Sequence, residues 1–167
     1  MPHASNKVEW CLRKAKKELG ELGLHRGLIK INGGIELAEK HILKAEHNLK
    51  GAIYFKKGGF SDWSASAFFY CIYHCFLAIL TRFGYESRNQ ECTIATIEML
   101  KENKEIDIDD RLIDSLKINK AEEMHESSII RIRETFQYGV ELEFKEEFDN
   151  LVNLCKEAIN KTREIVH

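Results

Sequence analysis

The run from Trp63 to Leu80 is apolar except for Ser64, Ser66 and His74, and it approaches the length needed to cross a bilayer. A helix that is apolar on most sides must be buried, either in lipid or at the centre of a bundle. Other segments of the chain carry one-sided apolar stripes that need a partner. The run therefore reads as the central helix of a bundle, not as a membrane span.

The remaining sequence supports that reading. The only proline is Pro2, and the glycines fall mostly between periodic segments. A first helix is expected over about 7–19, ending at Gly20. Leu24 to Gly34, with Gly27, Gly33 and Gly34, reads as a linker. Ile35, Ala38, Ile42, Ala45, Leu49 and Ala52 form a helical stripe that Gly58-Gly59 ends. Ser61 is the expected N-cap of the central helix. Ser87-Arg88-Asn89-Gln90 fits a capping box opening a fourth helix, and Asp107 or Asp109 would cap a fifth. A break is expected within 117–123, after which the helix resumes with Met124, Ser128, Ile129, Ile132 and Phe136. A last helix carries Phe144, Phe148, Leu151, Cys155, Ala158 and Thr162. No alternating run bounded by turn residues is present, so no strand is expected. The fold class is all-α: an up-and-down helical bundle of four to five core helices with an extra N-terminal helix. Residues 1–33 would be the N-terminal helix and linker, and 34–167 the bundle.

At 167 residues with a net charge of −2, the chain has no global positive field to attract nucleic acid. The charge is unevenly placed. Residues 1–30 carry seven Lys or Arg against three acids, and residues 98–149 carry sixteen acids against eight bases. That asymmetry permits a basic N-terminal contact surface. The five cysteines, Cys11, Cys71, Cys75, Cys92 and Cys155, have no framework spacing, which points to free thiols in a reducing, cytoplasmic compartment. The first ten residues contain no signal-like apolar run.

Few constellations carry chemistry. Cys71, His74 and Cys75 share a helical face but lack a fourth zinc ligand. Glu122-x-x-His125 is the single such motif, where a carboxylate-bridged di-iron bundle needs two. No metal and no cofactor is expected. Cys92, near a helix start, reads as an ordinary helix residue. The segment Ile130-Arg131-Ile132-Arg133-Glu134-Thr135-Phe136-Gln137-Tyr138-Gly139 is the most informative. In a helix, Arg131, Glu134 and Tyr138 share one face, while Ile129, Ile132 and Phe136 turn to the core. Two arginines beside a tyrosine can hold a phosphate and stack on a base. The other reading of the same residues is an Arg–Glu pair with a snorkelling Tyr.

Three segments in order resemble the HEPN family (higher eukaryotes and prokaryotes nucleotide-binding). Ser66 to His74, after Gly59-Phe60-Ser61-Asp62, is similar to its central helix. Gly84-Tyr85-Glu86-Ser87, followed by Glu91-Cys92-Thr93-Ile94, is similar to the inter-helix segment of archaeal members. Arg131 to Gly139 resembles its motif region. The resemblance spans about 35–166.

The resemblance implies a bundle that commonly dimerises, and in many members a metal-independent ribonuclease encoded beside a small nucleotidyltransferase. The family motif is Arg, four to six residues, then His, often with Tyr two residues later. Here Arg131 and Tyr138 match the outer positions, but Phe136 stands where the His belongs. From Arg133, the imidazole position becomes Tyr138. The ligand-binding candidates are Arg131, Arg133, Glu134, Tyr138 and His74, and no catalytic residue is assigned. The resemblance implies a homodimer that binds RNA or a nucleotide, or that pairs with a minimal nucleotidyltransferase, with no membrane partner. If active, the chain would be a metal-independent endoribonuclease with a displaced catalytic residue.

Overall fold

A computed structural model describes residues 3–117, 129–145 and 147–167. The order is α1 (His3–Leu22), β1 (Leu28–Lys30), α2 (Ile35–Lys57), α3 (Ser61–Arg82), β2 (Tyr85–Ser87), α4 (Gln90–Glu102), α5 (Asp110–Asp114), α6 (Ile129–Tyr138) and α7 (Phe148–Val166). The architecture is the expected all-α bundle.

Helix α3 is its axis. Ala38, Ile42, Ala45, Leu49 and Ala52 of α2 are buried, and they alternate small and branched side chains so that α2 lies close against α3. Phe68, Ile72, Phe76, Ile79 and Leu80 of α3 fill the centre. Helices α6, α7 and α4 pack on its remaining sides. By length and composition α3 is long and apolar enough to cross a membrane, but 72% of its apolar window is buried inside the protein.

The α2–α3 turn is a Schellman ending. Gly59 has φ +82°, the Phe60 N–H donates to the Phe55 carbonyl at 2.8 Å, and the Gly59 N–H donates to Lys56 at 3.2 Å. Ser61 does not cap α3, which starts from Phe60 without a side-chain cap. Its hydroxyl instead accepts the Phe144 N–H at 2.8 Å, tying α3 to the segment before α7.

Several expectations are corrected. Two strands exist: β1 and β2 pair antiparallel, Leu28 opposite Ser87 and Lys30 opposite Tyr85. Each is three residues long, too short to show alternation. The expected linker thus holds β1. Gly33 approaches so closely that a Cβ there would lie 1.9 Å from the Thr81 carbonyl oxygen. Helix α4 opens two residues later than the capping box: Asn89 is the N-cap, its side chain accepting from the Cys92 N–H at 3.0 Å, while Ser87 lies in β2. Asp109 caps α5 as one of the two expected residues. Helix α7 begins at Phe148, and Phe144 is buried in a non-helical stretch. The break within 117–123 falls mostly outside the described residues, as do Met124 and Ser128.

The cysteines are not all free. Cys11 on α1 and Cys92 on α4 form a disulfide across 81 residues of chain, so Cys92 is not an ordinary helix residue. The buried stripe Ala4, Val8, Cys11 and Ala15 lays α1 on α4, which brings the two sulfurs together. Cys71, Cys75 and Cys155 remain buried thiols.

Candidate functional site

Helix α6 presents two different arginines. Arg131 is exposed and makes no hydrogen bond or ion pair among the described residues. It lines an open groove of about 510 Å³ with Ile132, Thr135, Phe136, Phe144 and Lys145 and the carboxylates of Glu143 and Glu147. Lys145 is held by an ion pair to Glu143, so among the described residues the groove presents one cation without an ion pair, Arg131, and one carboxylate without one, Glu147. Arg133 points elsewhere: its guanidinium carbon lies 4.0 Å from the Phe69 ring centroid, and its Nε is buried without a hydrogen-bond partner among the described residues. Phe69 in turn stacks on Tyr73 with centroids 5.7 Å apart. Burial pushes the Tyr73 phenol above its ordinary range, which makes it a poor proton acceptor near neutrality.

Glu134 and Tyr138 are exposed on the side of α6 that carries Arg131, Tyr138 at 78%. No Arg131–Glu134 ion pair forms, so the pairing alternative is not what holds these residues. Gly139 ends the helix where nothing larger fits. Its N–H donates to the Thr135 carbonyl, and a Cβ would lie 2.3 Å from that oxygen.

Phe136 belongs to the aromatic cluster behind the groove. Its ring lies 4.9 Å from Phe144, and Phe144 and Phe148 both meet Phe68 edge-on. This explains why Phe144 is buried outside any helix: it wedges between α6 and α3.

His74 is not brought to this groove. Phe69 and His74 differ by about 140° around α3, and His74 faces α2, where its Nδ1 lies 3.0 Å from Nδ1 of His41. Burial, with His41 and Lys44 nearby, pushes the His74 imidazole down to about 4. Burial also lowers His41, partly offset by Glu86. Both rings are therefore neutral near pH 7, one donating Nδ1–H to the other. His41 escapes a reading by motif, but the antiparallel hairpin discloses it: His41 and His74 are nearly equidistant from the Gly58-Gly59 turn, as are Ala52 and Ser64, which are hydrogen-bonded at 2.7 Å.

The Cys71, His74 and Cys75 group divides. The neighbouring Cys155 thiol of α7, with burial, raises the Cys71 thiol well above the usual range, and Cys71 with burial raises Cys75 likewise. These are inert buried thiols. Among the described residues no three His, Cys, Asp or Glu side chains gather as a metal site. Glu122 and His125 lie outside those residues.

A family model described as HEPN domain matches residues 38–166, from the first turn of α2 to the last residue of α7. The chain belongs to the HEPN family. No curated protein matches it. Within the HEPN match lie the groove, the Arg133–Phe69 contact and the histidine pair; α1 and β1 precede it. Within the HEPN match, Phe136 is half-buried, lining the groove on one side and packing against the core on the other.

Proposed function

We propose that this HEPN protein is a non-catalytic subunit of toxin–antitoxin type that acts as a homodimer and either binds RNA or a nucleotide or partners a minimal nucleotidyltransferase. Residues 34–167 would be the ligand-binding bundle, with 1–33 an accessory. One observation carries the reading: among the described residues Arg131 stands exposed and without an ion pair on a groove that Phe136 lines, and Phe136 is the residue that the family resemblance sets in place of the proton-transferring His. A guanidinium binds phosphate bidentately, whereas a phenyl ring cannot move a proton. Binding without cleavage is the chemistry these two residues support together. Exposed Tyr138, Val140 and Leu142 beside the groove offer apolar surface to a second subunit.

The alternative, a ribonuclease with a displaced catalytic residue, would need an imidazole near Arg131. His74 is engaged with His41 on the α2 side of α3, which does not favour it. The test is Arg131→Ala in an oligonucleotide-binding titration. Affinity should fall about tenfold or more, corresponding to the loss of one charge-assisted contact, with helical content unchanged. An unchanged affinity would remove Arg131 from the site.

A further inference from the structure

Helix α1 lies before the HEPN match and is fixed to the bundle on one side only. Ala4, Val8, Cys11 and Ala15 face inward, and the Cys11–Cys92 disulfide prevents the helix from rolling. Trp10, 46% exposed, lies about 130° around the helix from the centre of that stripe. At 100° per residue, Lys7, Arg13, Lys14 and Lys17 all fall within about 60° of Trp10. Lys7 Nζ lies 4.6 Å and Lys14 Nζ 5.1 Å from the indole centroid. Arg13 and Lys14 have no carboxylate partner among the described residues. Lys7 pairs with Glu91 at 3.0 Å and Lys17 with Glu21 at 3.8 Å, both through exposed or half-exposed carboxylates that a phosphate can displace.

We infer that this outward face of α1 is a second RNA-binding surface, on which a base of single-stranded RNA stacks on Trp10 and the flanking phosphates meet Lys7, Arg13, Lys14 and Lys17. The inference rests on the reading of the protein as an RNA-binding subunit and adds a contact outside the groove. From Lys7 to Lys17 the stripe runs about 15 Å along the helix axis. Cations interleaved with an exposed aromatic suit a chain of alternating phosphates and bases. An anionic membrane fits less well, because a surface-lying helix inserts a broad apolar face, and that of α1 is turned inward and crosslinked. The net charge of the chain hides this surface: the bases of α1 are offset by acids elsewhere in the sequence.

The experiment is fluorescence anisotropy of a labelled single-stranded RNA of about 20 nucleotides with the full chain, over a series of salt concentrations. The variants are Arg13→Gln/Lys14→Gln/Lys17→Gln together, Trp10→Ala, and Arg131→Ala. The triple variant should bind about tenfold more weakly, and its log K against log salt slope should shrink by about 2, near 0.7 for each lost cation. Trp10→Ala should bind about tenfold more weakly with the slope unchanged, since stacking releases no counterion. In a Trp63→Phe protein, where Trp10 is the remaining indole, RNA should quench the fluorescence. If RNA affinity stays within twofold of wild type in both α1 variants while Arg131→Ala weakens it, the α1 surface is refuted and the groove stands. Loss of phosphatidylserine-vesicle binding in the triple variant, with RNA affinity unmoved, also overturns it. No RNA binding by the wild type refutes both surfaces.

Discussion

The Phe136 ring packs 4.9 Å from the Phe144 ring, tilted by 37°, and both line the groove that Arg131 borders. On the proposed reading, the position of the family's proton-transfer group is taken by this half-buried phenyl ring, packed against the hydrophobic core. Exchanging the phenyl for an imidazole in Phe136→His keeps a planar ring but loses apolar contact with Phe144. The variant should be less stable by about 1–3 kcal/mol, and should gain metal-independent RNA cleavage. Its activity should vanish in Phe136→His/Arg131→Ala. A folded Phe136→His protein that binds RNA and leaves it intact would mean that the groove lacks other parts of the catalytic machinery.

Ser61 holds the groove's far wall. Its hydroxyl accepts the buried Phe144 N–H, so Ser61→Ala leaves that donor unmatched. The cost should be about 1–3 kcal/mol in urea denaturation. Oligonucleotide affinity should fall with it, because residues 143–145 would lose their anchor to α3. A stability change below about 0.5 kcal/mol would show that the bond contributes little.

The disulfide makes a chemical prediction. Denatured without reductant, the protein should titrate three thiols, those of Cys71, Cys75 and Cys155, and five after reduction. Closing so long a loop stabilises by up to roughly 4–5 kcal/mol on the chain-entropy estimate, so dithiothreitol should lower the urea midpoint. Five thiols without reductant would show the bond absent in solution.

The His41–His74 pair sets a pH dependence. The folded-state value of His74 is lowered to about 4, against 6.5 for the unfolded chain. The unfolded state therefore binds more protons between these values, and stability should fall as pH drops from about 6.5 towards 4. Allowing for solvent screening at a partly exposed ring, the loss is of order 1–2 kcal/mol. Denaturation at pH 7 and pH 4.5 measures it. His74→Asn should flatten the dependence, and an equal slope in that variant would assign the effect to other groups.

How much of this was legible in the sequence depends on the range of the interaction. The stripe from Ala38 to Ala52, the Gly59 turn and the Asp109 cap are local, and their residues announce them. The β1–β2 pairing and the Cys11–Cys92 bond join segments tens of residues apart, with no pattern at either end. Phe144 misled because it falls four residues before Phe148, in phase with the stripe of α7, yet it packs on Phe68 and Phe136 from a non-helical stretch. The two arginines of α6 look alike in sequence. Only the placement of Phe69 beneath Arg133 separates an arginine engaged with the core from one free for a ligand.

The most direct measurement is a single incubation of labelled single-stranded RNA with the wild-type chain in EDTA, read both for complex formation and for fragment length. The expected result is RNA that is bound and intact, with binding weakened about tenfold in Arg131→Ala. RNA cut in EDTA by the wild type, at a rate that Arg131→Ala leaves unchanged, would contradict both the non-catalytic role and the placement of the site.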